Sequence, residues 1–136
     1  MLPAKPAATT AHKRPKPIED RIITCLKEAL STASAFVVSD YDKGVVTPRI
    51  LEEVLPFAYE RVPVLVDPKI RNLNSYRPAT LVTPNNHEAL RMSNTDDDSD
   101  EGLLKAAELI QQRLSCDAVL ITRGDKGMML LENKNR

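Results

Sequence analysis

Apolar residues recur at helical spacing in two long segments of the chain. Residues 18–30 and 103–114 each place their apolar positions on one face, which predicts two amphipathic helices. Thr47-Pro48 offers an N-cap followed by proline at the first helical position, so a further helix is predicted from Pro48 towards Glu60. Pro56 lies inside that segment and is expected to kink or break the helix.

Short apolar runs separate these helices and predict buried strands. They lie at residues 35–38, 62–66, 79–82, 118–121 and 128–131. A brief helix is predicted after Asn85, and residues 93–101 predict a polar, acidic loop. Strands that alternate with helices indicate βαβ units, and therefore an α/β fold with a mostly parallel sheet and flanking helices.

The first 17 residues have a different character. They are rich in Ala, Pro, Lys and Thr, show no periodicity, and predict a disordered tail before a single folded region at residues 18–136. Lys and Arg together number 19, as do Asp and Glu, so no net charge recruits nucleic acid or an anionic membrane. No apolar run approaches the roughly 20 residues that cross a bilayer, and no secretory leader is recognisable, which favours a cytoplasmic protein.

The residues that often bind metals are poorly arranged for it here. Cys25 and Cys116 lie far apart and are interpreted as buried or idle thiols rather than a disulfide or metal pair. The acidic cluster at residues 96–101 lacks the glycine and glutamate spacing of an EF-hand loop and predicts a solvated loop. His87 is expected to be a partly exposed side chain.

Four polar motifs each follow a predicted strand. They occupy residues 39–44, 67–69, 83–88 and 122–127. Because the carboxyl ends of parallel strands meet at one edge of a sheet, these motifs are expected to converge on a ligand site. With only four glycines in the chain, neither a Walker loop nor a GxGxxG fingerprint is present.

Each motif also has a purely structural interpretation. Gly124 and Gly127 either let the backbone approach a phosphate or form an ordinary tight turn. Asn85 and Glu88 either hold an anion and a water-bound Mg²⁺ or form a capping box. The charged pairs Asp67 with Lys69, and Asp40 with Lys43, either meet a phosphate or metal-bound water or end their strands.

Taken in order and spacing, these motifs resemble the ribokinase-like carbohydrate kinases. The likeness covers residues 35–131 and rests on four segments: Ser39-Asp40-Tyr41 with Lys43-Gly44, Val66-Asp67-Pro68-Lys69, Thr83-Pro84-Asn85 with Glu88, and Thr122-Arg123-Gly124 with Lys126-Gly127. Within that family the chain is most similar to kinases that phosphorylate the anomeric hydroxyl of D-glycero-β-D-manno-heptose 7-phosphate, one half of a bifunctional kinase and adenylyltransferase.

The resemblance implies a partial three-layer fold, ATP and Mg²⁺ as cofactors, and roles for particular residues. Asn85 and Glu88 would bind ATP and, through water, Mg²⁺. The turn residues Thr122, Arg123 and Gly124 would lie near the nucleotide phosphates. Asp67 and Lys69 would border the same cleft, and Asp40 and Lys43 are weaker candidates for a substrate phosphate.

The sequence also departs from the family pattern. Asp42 stands where the family has glycine, although Asp tolerates left-handed geometry better than most residues. No segment matches the family's Gly-Ala-Gly-Asp run, which supplies the general base, and the sugar-binding part is also unmatched. The expected protein is therefore a kinase fragment without a catalytic residue of its own, alone or complemented by another chain or copy. The alternatives are a non-catalytic nucleotide-binding or interaction module and an inactive truncated gene product.

Overall fold

The computed structural model describes residues 16–133, which form four α-helices and five strands. The helices are α1 (Lys16–Ala29), α2 (Pro48–Tyr59), α3 (Asn86–Met92) and α4 (Asp100–Leu114). The strands are β1 (Phe36–Ser39), β2 (Val64–Asp67), β3 (Ala79–Val82), β4 (Cys116–Thr122) and β5 (Met128–Glu132). Two short 3₁₀ segments, Ile70–Ser75 and Gly124–Lys126, follow β2 and β4.

The five strands form one sheet in chain order. Strands β1 to β4 are parallel, and β5 returns antiparallel to β4. Right-handed crossovers between neighbours that advance in one direction must all lie on the same side of the sheet. The α/β fold with a mostly parallel sheet and flanking helices is thus confirmed.

Burial along the strands shows which face the helices cover. Paired residues on the covered face are almost entirely inaccessible, as for Val66, Val82 and Val119. Their sequence neighbours on the opposite face are more accessible, and at the two sheet edges Val37 is 64% and Leu130 is 54% exposed. Residues 16–133 therefore supply the sheet and one helical layer.

The first helix begins earlier than the sequence predicted. Helix α1 starts at Lys16 and includes Pro17, so the prediction that the disordered tail extends to residue 17 is wrong at these two positions. Proline fits the first helical turn because the amide it lacks has no partner within the helix. The rest of the predicted tail, residues 1–15, lies outside the described residues.

Two other helix predictions need correction. Helix α2 continues through Pro56 to Tyr59, so the predicted break does not occur. Pro56 is exposed, as is Glu52 one turn before it, and water can therefore reach the carbonyl that loses its helical partner. Helix α4 begins at Asp100, inside the predicted acidic loop, because the Ser99 side chain accepts a hydrogen bond from the Gly102 amide at 3.1 Å.

The buried carboxylate of Glu19 helps to hold helix α1 against the start of α2. Ile18, assigned to the apolar face by its spacing, is 41% exposed, whereas Glu19 is only 8% exposed. The Glu19 carboxylate accepts a hydrogen bond from Thr47 Oγ1 at 2.7 Å and pairs with Arg49 at 3.3 Å. Because Thr47 also caps α2, as predicted, this contact ties the start of α2 to α1.

None of the helices within residues 16–133 is long and apolar enough to cross a membrane. The two cysteines are free, but their environments differ: Cys116 is buried as expected, whereas Cys25 is exposed. Burial raises the pKa of the Cys116 thiol to about 12 and keeps it protonated at neutral pH.

We expect an aromatic disulfide reagent at pH 8 to modify the exposed Cys25 of the native protein rapidly and the buried Cys116 only after unfolding. Cys25→Ser should abolish the fast reaction, and Cys116→Ser should leave it unchanged. Stopped-flow absorbance with and without urea measures both phases. Equal fast rates for the two thiols in the native protein would contradict the burial of Cys116.

Candidate functional site

Two of the sequence motifs meet directly at the carboxyl edge of the sheet. Beyond β3, Asn85 pairs with Thr122, the last residue of β4, in a parallel bridge, and the Thr122 amide donates to the Pro84 carbonyl at 3.1 Å. The pairing therefore continues into the loop after β3 and fixes its distance from the end of β4. The motif containing Asn85 and Glu88 and the glycine turn after Thr122 lie side by side on one rim.

The start of α3 is a capping box. The Glu88 amide donates to Asn85 Oδ1 at 2.8 Å, and the Asn85 amide donates to Glu88 Oε2 at 3.0 Å. This structural alternative is confirmed, and it orients the Glu88 side chain towards the rim instead of solvent. His87, between them, is exposed.

Lys69 crosses from the end of β2 to the same carboxylate. Its Nζ donates to Glu88 Oε1 at 2.9 Å, with the two side chains 33% and 15% exposed. The hydrogen bond with Glu88 raises the pKa of Lys69, with smaller contributions from the charges of Asp67 and Asp40. Since this pKa is raised above its unfolded value, the stability contributed by the charged ammonium is present at neutral pH and is lost as the pH rises through the folded-state pKa of Lys69.

The turn after β4 contains two glycines with positive φ and free space beside them. Gly124 and Gly127 have φ values of 60° and 84°, and a β-carbon added at either would meet no atom within 4 Å. The Arg123 amide donates to the Gly127 carbonyl at 2.8 Å and closes the turn. The Arg123 guanidinium already has an acidic partner, because it pairs with Asp100 of α4 at 2.8 Å.

Asp40, a candidate for contact with a substrate phosphate, lies in a buried network of hydrogen bonds. It is only 2% exposed, and its carboxylate accepts hydrogen bonds from Tyr76 Oη, from Asn72 Nδ2 at 2.9 Å and from the Asp42 amide at 2.8 Å. These hydrogen bonds anchor the loop after β1 to the segment after β2. Burial and the Asp40 carboxylate raise the pKa of Tyr76, which keeps the phenol a donor.

Sequence reasoning missed Asn72 and Tyr76 as partners of this buried carboxylate. Tyr76 also accepts a hydrogen bond from the Lys69 amide at 3.1 Å, so the network reaches the residue that pairs with Glu88. The available signal was an acidic residue directly after a buried strand, which requires donors from another part of the chain.

Asp42 and Lys43, in the loop after β1, agree with what the sequence predicted about that turn. Asp42 has φ of 56°, which confirms that Asp sustains the left-handed geometry where the resembling family has glycine. Its carboxylate pairs with Arg71 at 3.2 Å. Lys43 is exposed beside this turn.

The residues at this rim fit a magnesium ion held mainly by phosphate and water. Glu88 and Asp67 offer carboxylate oxygens, the hard ligands that Mg²⁺ prefers. Residues 16–133 contain no group of three or more His, Cys, Asp or Glu side chains that could enclose a metal. One or two carboxylates are enough for Mg²⁺ when a nucleotide supplies further oxygens.

A comparison with known protein families gives a clear match. The profile of the pfkB family carbohydrate kinases matches residues 11–136. The chain belongs to the pfkB family of carbohydrate kinases. The chain is also 40% identical over 119 residues to a bifunctional protein HldE from Geotalea uraniireducens, and 42% identical over 113 residues to that from Geobacter sulfurreducens. These alignments cover 87% and 82% of the chain but only 24% and 23% of the relatives.

Solved kinases share the fold of this pfkB-family chain. The tetrameric inhibited form of phosphofructokinase-2 from Escherichia coli aligns with a TM-score of 0.74 and 20% identity, over 90% of this chain and 41% of that one. Pyridoxal kinase from Staphylococcus aureus in complex with pyridoxal aligns with a TM-score of 0.64 and 25% identity, over 85% and 48%. The described fold thus corresponds to less than half of these kinase chains.

The buried network predicts a specific stability effect for Tyr76→Phe. Losing the hydroxyl leaves Asp40 and the Lys69 amide each without one partner, so we expect a loss of about 1–3 kcal/mol in the free energy of unfolding. Tyr41→Phe removes the same group from a side chain that is 75% exposed and is the matched control. Urea unfolding followed by circular dichroism measures both, and equal effects would contradict the proposed importance of the network.

Proposed function

We propose that this chain forms the nucleotide-phosphate and magnesium side of an ATP-dependent sugar kinase site. The family reaction would transfer phosphate from ATP to the anomeric hydroxyl of D-glycero-β-D-manno-heptose 7-phosphate, a precursor of the lipopolysaccharide core. The single observation that supports this proposal is the pairing of Asn85 with Thr122, which brings two separate motifs to one rim.

The residues at this rim suit different parts of a triphosphate. The turn at Gly124 and Gly127 leaves open space beside its backbone, so a phosphate can approach closely. The ammonium of Lys69 provides a mobile positive charge. Arg123 can add charge to the phosphates only by giving up its contact with Asp100.

Glu88 and Asp67 are the residues that would hold the magnesium ion, Glu88 through water. When bound, the ion would neutralise charge on the phosphate oxygens. Glu88 can serve in this way because the capping box already fixes one of its oxygens and so orients the carboxylate. Asn85 positions this carboxylate rather than binding the ion itself.

The choice of heptose 7-phosphate depends on the likeness to the heptose kinases. Their shared segments run from the loop after β1 to the turn after β4, in the same order and spacing. A cytoplasmic location suits a reaction that uses ATP. Lys43, exposed beside this rim, remains our candidate for contact with a substrate phosphate.

We expect isothermal titration calorimetry to detect binding of Mg-ATP to the purified chain, weakened about tenfold or more by Glu88→Gln, because the amide cannot replace a carboxylate near the metal. Glu108→Gln on α4 removes an equal charge away from the rim and is the control. Absence of binding by the wild-type chain at millimolar Mg-ATP would contradict the proposal.

We expect the 136-residue chain to show no phosphorylation of heptose 7-phosphate by ATP while it still binds Mg-ATP. Phosphoryl transfer requires a positioned acceptor and usually a base, and the sequence contains no Gly-Ala-Gly-Asp segment to provide that base. A coupled assay for ADP release measures turnover. Robust turnover by the purified chain would show that another residue serves as the base.

A further inference from the structure

Both carboxylate oxygens of Glu88 already have partners in the free protein. Oε2 accepts the Asn85 amide at 3.0 Å, and Oε1 accepts the Lys69 ammonium at 2.9 Å. Each oxygen keeps a further lone pair that a metal-bound water could use, but a cation that approaches Oε1 meets the ammonium already bound there. How easily a cation reaches Glu88 therefore depends on whether that contact can be exchanged.

The two contacts differ in how easily they can be replaced. The Asn85 amide is fixed by the strand bridge to Thr122 and by the first turn of α3. The Lys69 ammonium is carried by a flexible four-carbon side chain that is 33% exposed. It can therefore move to water or to another anion without disturbing the backbone. Lys69 is the contact that can be exchanged.

The charges around Lys69 favour a cation at this position. The carboxylates of Glu88, Asp67 and Asp40 each interact electrostatically with its ammonium and favour the charged form. Asp40 is buried among neutral donors, so its negative charge has no adjacent counter-ion in its own network. Lys69 bonds to Glu88 and lies in the negative field of the two more distant carboxylates, so a divalent cation would compete with the ammonium for the same position.

We propose that Lys69 is an internal counter-ion that pairs with Oε1 of Glu88 and, by charge competition, suppresses binding of divalent cations in the absence of nucleotide. Displacement of Lys69 frees Glu88, and a nucleotide phosphate offers the released ammonium a new partner. The consequence is that the rim accepts the metal together with the nucleotide and disfavours the metal alone. This role rests on the proposed function, but it concerns the free protein and can be tested without nucleotide.

The test measures Mn²⁺ binding by electron paramagnetic resonance in nucleotide-free protein. Lys69→Met and Lys69→Gln should each bind Mn²⁺ about three- to tenfold more tightly than the wild type, since a partly exposed charged pair is then no longer in competition. Two neutral variants of different polarity guard against a folding defect in either, which thermal unfolding would reveal. The double variant Lys69→Met with Glu88→Gln should lose the gain.

Arg71→Met provides the matched control. Arg71 is two residues from Lys69, pairs with Asp42 at 3.2 Å and does not contact Glu88. The Arg71→Met substitution removes one positive charge, as Lys69→Met does. A general electrostatic effect would therefore raise Mn²⁺ affinity equally in both variants.

The result that overturns the proposal is a Lys69→Met protein that binds Mn²⁺ no more tightly than the wild type or than Arg71→Met. Failure of the proposed nucleotide site has a different signature. In that case neither protein binds Mg-ATP by calorimetry, while the difference in Mn²⁺ affinity between Lys69→Met and the wild type remains.

Discussion

Parallel hydrogen bonding between β3 and β4 continues past the end of β3, where the amide of Thr122, the last residue of β4, donates to the Pro84 carbonyl. This bond fixes the loops that carry Glu88 and the glycine turn at a separation set by the sheet. Loops joined only by side chains would pay the full entropic cost of ordering each backbone. Here the sheet has already fixed the last residue of each strand, so few dihedral angles remain to be ordered.

Negative charge at this edge is stabilised in two ways. Asp40 is buried and satisfied by neutral donors, Tyr76 and Asn72, together with a backbone amide. Glu88 is only partly buried and is satisfied by one backbone amide and one mobile ammonium. A buried carboxylate with rigid donors serves to hold loops together, whereas a carboxylate whose partner can leave is suited to exchange ligands. The burial of each group therefore separates anchoring from binding.

The sequence predicted those features that depend on local chemistry. Apolar runs located all five strands, the Thr47-Pro48 cap located α2, and the left-handed tolerance of Asp permitted Asp42. The features it did not predict depend on contacts distant in the chain. Residues 40 and 76 meet only because β1 and β2 are paired, and nothing in the local pattern around Tyr76 indicates a buried donor.

The same reasoning explains why Ile18, assigned to the apolar face by its spacing, is exposed while its neighbour Glu19 is buried. Helical spacing assigns residues to a face, but it does not indicate what lies opposite each position. Glu19 faces the start of α2, where Thr47 and Arg49 supply donors, so burial of the carboxylate is compensated. Ile18, one residue earlier, faces away from α2 and remains exposed.

The candidate site is built from the helix-covered side of the sheet and its carboxyl edge. Asp40, Tyr76 and Lys69 are joined by hydrogen bonds among the segments that follow β1 and β2, and α3 presents Glu88 to the same place. The opposite face, with Val37 and Leu130 at its edges, contributes none of these described contacts. Because the rim is held by strand pairing and buried donors, its geometry does not require that face to be covered. Under the proposed function, binding at the rim and catalysis at a complete kinase site are therefore separable properties.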